Sequence, residues 1–173
     1  MRTFISIDIP EKVKKEIKKI QDELPGFYGK KTELENLHLT LKFLGEINED
    51  KLEKVKKRLR EIKFNFFETE IDSIGVFSEK FIRIVWLHLN NCKRLQKEVD
   101  DKLKDLFEVE RRFMSHLTIA RVKKIKDKKK FLEELKKLEI PKIKFNVDEF
   151  YLMKSELSKD GPKYEVIERY KSV

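Results

Sequence analysis

The tripeptide His-Leu-Thr occurs twice in this chain, at residues 38–40 and 116–118, with the two histidines 78 residues apart. The chain has 173 residues and only three histidines, so the recurrence does not come from a common residue type. Phe4 and Ile82 stand at the same 78-residue offset, and Asp72 and Asp148 lie 76 apart. A nearly constant offset over three segments points to an internal duplication, which constrains architecture more strongly than any local propensity.

The segments between these marks repeat one order of elements. Residues 2–9 alternate, with Thr3, Ile5, Ile7 and Ile9 on one face and Phe4, Ser6 and Asp8 on the other, the period of a strand. Pro10 ends that strand, and Val13, Ile17, Ile20 and Leu24 recur at helical spacing until Pro25-Gly26 stops the helix. A strand over about 36–46 follows. Next come a helix capped by Asn48 with the stripe Leu52, Val55, Leu59 and Ile62, and a long strand over 67–78 with Gly75 as a candidate bulge. The order then recurs: strand 81–89, helix 91–107, strand 113–122, a Lys-rich helix 127–138, a long strand 142–155 and a final strand 162–170. The expected fold is α+β. It has two pseudo-symmetric lobes, each a small, mainly antiparallel sheet with helices on its outer face, and an active-site cleft between them. No Gly-, Pro- or Ser-rich linker divides the halves, so residues 1–173 are expected to form a single bilobal domain. Its copies run roughly over 1–78 and 79–155, followed by a C-terminal strand.

Composition narrows the partners. Hydrophobic residues make up 39% and charged residues 42%, the balance of a folded domain with a heavily charged surface. Lys and Arg number 41 against 32 Asp and Glu, a net +9 that favours polyanions, nucleic acid first among them. Abundant Lys and Glu are also the pattern of surface ion pairs at high temperature. Cys92 is the only cysteine, which excludes an intrachain disulfide and a Cys-built zinc site and fits a reducing compartment. No apolar run approaches the roughly 18 residues of a membrane span, and the opening segment is too short for a signal peptide. A cytoplasmic monomer with no membrane partner is therefore expected. The basic segment 123–130 reads as a solvated helix start or as a contact for an RNA backbone.

Chemistry follows from strand parity, because residues i and i+2 share a face. His38, Thr40 and Lys42 stand opposite Leu37, Leu39, Leu41 and Phe43, and His116, Thr118 and Ala120 stand opposite Leu117, Ile119 and Arg121. Two imidazoles across a cleft suit phosphoryl chemistry, since both titrate near neutrality and one can be a neutral base while the other is a charged acid. Two threonine hydroxyls can hold the non-bridging phosphate oxygens. Such a set calls for no cofactor and no metal, and it is confined to reactive esters such as a ribose 2',3'-cyclic phosphate. Lys42, on the histidine face, is a further candidate phosphate contact. His88 falls opposite Pro10 at the 78-residue offset and reads as a packed or rim side chain. The three histidines lack the close spacing that pre-forms a zinc site.

The segments RTFISIDIP, ENLHLTLKFLGEI, IDSIGVFSEKFIRIVWLHL, SHLTIARVK and LMKSELSKDGPKYEV together resemble the 2H phosphoesterase superfamily over nearly the whole length. They resemble in particular its RNA 2',3'-cyclic phosphodiesterase branch, also called 2'-5' RNA ligase and LigT/ThpR-like. The resemblance implies a catalytic pair, with His38 as proton donor to the leaving 3'-oxygen and His116 as proton acceptor from water. It implies Thr40 and Thr118 as phosphate ligands, Phe43 beside the nucleobase and Arg121 as the basic residue after the second motif. Ser115 departs from the family, which commonly has Pro there. The implied reaction is metal-independent hydrolysis of RNA 2',3'-cyclic phosphate ends to 2'-phosphate, with reverse 2'-5' ligation. RNA bearing such ends, tRNA fragments included, is the implied partner. Parity puts Phe43 and Arg121 on the face away from the histidines, so a bulge or a strand end has to turn them into the cleft. The alternatives are a non-catalytic RNA- or nucleotide-binding module and a phosphodiesterase acting on small cyclic nucleotides. Both motifs being intact favours the enzyme.

Overall fold

In the computed structural model, which describes every residue from Met1 to Val173, alternating and helical apolar patterns alike resolve into one antiparallel sheet with four helices. The first half of the chain forms β1 (Arg2–Asp8), α1 (Glu11–Asp22), β2 (Tyr28–Lys31), β3 (His38–Glu46), α2 (Glu49–Leu59) and β4 (Phe67–Val76). The second forms β5 (Ile84–Leu89), α3 (Lys93–Lys102), β6 (His116–Lys124), α4 (Lys128–Lys137), β7 (Ile143–Val147), β8 (Glu149–Ser158) and β9 (Gly161–Lys171). The sheet order is β7-β4-β5-β6-β3-β1-β8-β9, with β2 added on β6. The α+β architecture expected from the sequence is present.

Each helix turns its apolar stripe inward: Ile17 and Ile20 of α1, Val55 and Leu59 of α2, Val99 of α3 and Leu135 of α4 all join one continuous buried cluster. The Asn48 side chain caps α2 by accepting the Lys51 N–H at 2.9 Å, and Asp127 caps α4 by accepting the Lys130 N–H at 3.0 Å. Caps of this kind contribute about 1 kcal/mol each.

The two blocks of the sheet meet at β3 and β6 through a single antiparallel bridge, Leu39 to Leu117. Beyond it the strands part, and β2 takes the free edge of β6 from Ala120 to Lys124. Nothing in the alternation signals β2, a four-residue strand exposed along its whole length. The blocks interlock, because β4 pairs with β5 and β8 pairs with β1. The long strand expected over 142–155 is accordingly two strands. β7 pairs with β4, and at Asp148 the chain crosses to the other block, where the Asp148 carbonyl accepts the Ser172 N–H at 2.7 Å.

Register also corrects the correspondence of the outer strands. Asp8 pairs with His38 and Phe4 with Phe43, while His88 pairs with His116 and Ile84 with Arg121. By position in the sheet Asp8, not Pro10, corresponds to His88, because the connection from β1 to β3 is two residues longer than that from β5 to β6. The bulge in β4 falls at Asp72 rather than at Gly75. Gly75 instead leaves room for the Trp86 ring, which lies 2.7 Å from where a Cβ would stand. β1 is buried on both faces from Thr3 to Ile7, since Tyr164 of β9 packs on Phe4 with ring centroids 5.1 Å apart.

Candidate active site

The single bridge between the blocks sets the geometry of the site. With Leu39 opposite Leu117, the antiparallel register brings His38 opposite Thr118 and Thr40 opposite His116. The leucines are buried on the helix side, so the four polar residues share the other face. Both imidazoles are anchored alike: His38 Nδ1–H donates to the Asn36 carbonyl at 2.7 Å, and His116 Nδ1–H donates to the Met114 carbonyl at 2.8 Å. A carbonyl only accepts, so Nδ1 carries the hydrogen and Nε2 is left for chemistry in each ring. His38 Nε2 lies 3.0 Å from the Thr40 hydroxyl.

Aromatic neighbours hold the rings further. His38 sits between Phe4 and Tyr164, with centroids 4.9 and 5.0 Å away, and His116 meets the edge of Phe77 at 4.8 Å. Neither Tyr164 nor Phe77 carries a sequence signal of its own, because both reach the histidines from distant parts of the chain, Tyr164 from β9 and Phe77 from just beyond the end of β4.

Matching bulges resolve the parity conflict at Phe43 and Arg121. In β3 the register with β1 passes from Thr40 to Lys42, and in β6 the register with β5 passes from Thr118 to Ala120, leaving Leu41 and Ile119 as extra residues. Each bulge flips the face of everything after it. Leu41 and Lys42 are therefore both buried, as are Ile119 and Ala120, and Phe43, 71% exposed, turns to the histidine face together with Arg121. The same flip removes Lys42 from the cleft. Its Nζ donates to Asp100 Oδ1 at 2.5 Å and to the Glu108 carbonyl at 2.7 Å, on the helix side.

One cavity of about 660 Å³ is lined by His38, Thr40, Phe43, His116, Thr118 and Arg121 together. The basic segment 123–130 does not reach it: Lys126 and Lys130 line a separate groove beside Phe27 and Phe131, and Lys128 Nζ donates to the Lys80 carbonyl. His88 is half-buried and does not line the cavity of the other two histidines; its Nδ1 bonds Asp72 Oδ1 at 2.7 Å. Burial pushes the His38 imidazole below its usual pKa, opposed by the Asn36 carbonyl and the Asp8 carboxylate and reinforced by Arg121 and His116. Burial raises the Tyr164 hydroxyl, so that side chain stays protonated as a donor at neutral pH.

The LigT like phosphoesterase family matches residues 7–86 and 89–164. A Methanocaldococcus jannaschii protein named RNA 2',3'-cyclic phosphodiesterase is 39% identical over 98% of this chain and 100% of its own length. One of the same name from Thermotoga maritima is 37% identical over 96% of this chain and 93% of its own. The crystal structure of TT0787 of Thermus thermophilus superposes with a TM-score of 0.82 at 25% identity, covering 99% of this chain and 97% of that one. Escherichia coli LigT complexed with 3'-AMP shares the fold, with a TM-score of 0.81 at 23% identity over 99% of this chain and 98% of its own. With its two histidine strands joined at one bridge and its sequence matched along both halves, the chain belongs to the LigT like phosphoesterase family of 2H phosphoesterases.

Proposed function

We propose that this chain hydrolyses RNA 2',3'-cyclic phosphate ends to 2'-phosphate ends through His38 and His116. The observation that carries this reading is the pairing of the two His-x-Thr faces about the Leu39–Leu117 bridge, with both Nδ1 atoms fixed on backbone carbonyls. Relatives at 39% and 37% identity bear the name of that activity.

In the proposed reaction Thr40 and Thr118 donate to the non-bridging oxygens and hold phosphorus between the imidazoles. His116 Nε2 takes a proton from water as the water oxygen bonds to phosphorus. The P–O3' bond breaks, and His38 Nε2 gives its proton to O3', leaving the phosphate on O2'. Burial keeps His38 neutral at rest, and the incoming phosphate anion, with Asp8 behind the ring, favours the imidazolium that the donor role needs. Phe43 offers its exposed ring to the base and Arg121 its guanidinium to the phosphate. If a 5'-hydroxyl replaces water, the same steps run in the ligase sense to a 2'-5' link, and bulk water favours hydrolysis.

All six residues come from one chain, so a monomer suffices. The imidazoles supply both proton transfers, so the reading calls for no Lewis acid. RNA fragments with cyclic ends, tRNA halves among them, are the substrates of this reading. The test is end-group analysis of a cyclic-ended oligonucleotide after incubation in EDTA. The expected product carries a 2'-phosphate at an undiminished rate. A 3'-phosphate product, or loss of activity in EDTA, overturns the mechanism.

A further inference from the structure

The two histidines are anchored alike and differ in the ring that meets them. Each Nδ1 is fixed on the carbonyl two residues before it, and each imidazole meets an aromatic ring close to perpendicular. For His116 that ring is Phe77, at 4.8 Å and 87°. For His38 it is Tyr164, at 5.0 Å and 82°. The fold therefore sets a phenol beside one histidine and a plain phenyl ring beside the other.

The phenol is held in place from several sides. Its ring packs on Phe4 at 5.1 Å as well as on His38. Two residues earlier the Pro162 carbonyl accepts the Asn36 side-chain N–H at 3.2 Å, and the Asn36 carbonyl is the group that accepts His38 Nδ1–H. One residue thus ties the imidazole to the start of β9. The Tyr164 hydroxyl makes no hydrogen bond within the protein, and it is not sealed in the way that the unpartnered Tyr170 hydroxyl is. Tyr164 lines the cavity of about 660 Å³ and also a neighbouring one of about 490 Å³, where Asp8, Glu35 and Lys163 stand. Burial raises the pKa of its hydroxyl, and the opposing pull comes from Arg121 and Arg2, which line the larger cavity and not the smaller. The donor end of the ring accordingly lies on the side of the two histidines.

Opening a cyclic ester makes unequal demands on the two sides of phosphorus. Charge builds on the departing O3' at His38, whereas the water at His116 needs a base and an unhindered approach. An ester oxygen has two lone pairs, so O3' can accept from a second donor beside His38 Nε2. We propose that Tyr164 is a catalytic residue whose hydroxyl donates to O3' as the P–O3' bond breaks, while the Phe77 ring leaves the water at His116 without a competing donor. Tyr164 keeps its proton throughout. The proton that ends on O3' comes from His38, and the one lost by water goes to His116. This inference rests on the cyclic phosphodiesterase reading above. A hydrogen bond that strengthens as charge develops acts on the rate at saturation rather than on substrate binding.

Tyr164→Phe removes the hydroxyl and keeps the ring that packs on Phe4 and His38. The experiment compares it with wild type in single-turnover opening of an oligonucleotide with a 2',3'-cyclic phosphate end. The rate at saturation is expected to fall about 10- to 100-fold, with the half-saturating concentration changed by less than about 2-fold. The oxygen-18 isotope effect at O3' is expected to rise, because the departing oxygen then carries more of the charge unaided. A wild-type rate in Tyr164→Phe overturns the proposal. So does a loss confined to the half-saturating concentration, or an unchanged isotope effect, either of which would put the hydroxyl on a group other than the leaving oxygen. In all three cases the phosphodiesterase reading stands as long as wild type forms 2'-phosphate ends. A wild-type protein that opens no cyclic end, or that leaves a 3'-phosphate, overturns both.

Discussion

Replacing Lys42 with Met separates what the bulge in β3 does from what simple strand alternation would do. Alternation places Lys42 beside His38 and Thr40, so its loss should then damage turnover and spare stability. The structure buries it instead, with side-chain exposures of 6% for Lys42 and 5% for Asp100. Breaking a buried pair by removing one partner costs about 3–5 kcal/mol. Asp100 Oδ2 keeps the Glu110 N–H at 2.9 Å, which holds the cost near the low end, about 3 kcal/mol on that range. For a chain of this size each kcal/mol moves Tm by about 2–4 °C, giving a fall of roughly 6–12 °C. Replacing both residues, as Lys42→Met with Asp100→Leu, removes the stranded charge and should recover most of the loss. Thermal and urea unfolding of wild type, the two single variants and the double variant measure this directly, with kcat read at a temperature where all four are folded. The expected result is a large stability loss in each single variant, recovery in the double variant and wild-type kcat in Lys42→Met. An unchanged midpoint with a collapsed kcat would place Lys42 in the cleft and refute the bulge argument.

Three further outcomes follow from the same contacts. Asp8→Asn removes a carboxylate that favours the charged His38, so the His38 titration followed by NMR should move further down and kcat/KM should fall mainly on the alkaline side of the optimum. An acid limb that instead extends to lower pH would make His38 the base. Because burial lowers the His38 pKa in the folded state, its neutral form contributes stability above the unfolded value of 6.5. That contribution is lost as pH falls from there through the folded value, with a slope of at most about 1.4 kcal/mol per pH unit. Urea midpoints between pH 7 and 5 should show this loss, and His38→Phe should flatten it. Gly75→Ala drives a methyl to 2.7 Å from the Trp86 ring and should cost about 1–3 kcal/mol by overpacking, with a shift in Trp fluorescence.

The two His-x-Thr faces are legible in the sequence because strand parity acts locally: His38 with Thr40, and His116 with Thr118, need only a two-residue period. The helices were legible for the same reason, down to the Asn48 cap. What parity cannot show is where the period slips. The bulges at Leu41 and Ile119 depend on pairing with β1 and β5, and they decide that Phe43 faces the cleft and Lys42 the core. Lys42 finds Asp100 from another element 58 residues away, a partner that no local pattern names. The exchange of β4 and β8 between blocks and the break at Asp148 are likewise products of long-range pairing, as is the seating of Tyr164 on His38. The 78-residue offset aligns the two histidine strands but not β1 with β5, because the connections that follow those two strands differ by two residues.

If His38 and His116 work as one acid–base pair, removing either should remove the work of both. The decisive measurement is single-turnover opening of an RNA 2',3'-cyclic phosphate end by His38→Ala, His116→Ala and the double variant, each shown to be folded. Each single variant is expected to lose about 10²- to 10⁴-fold, and the double variant little more than the worse single, since groups acting as a unit are not additive. A folded single variant that turns over near the wild-type rate, or losses that multiply cleanly in the double variant, would contradict the two-histidine mechanism.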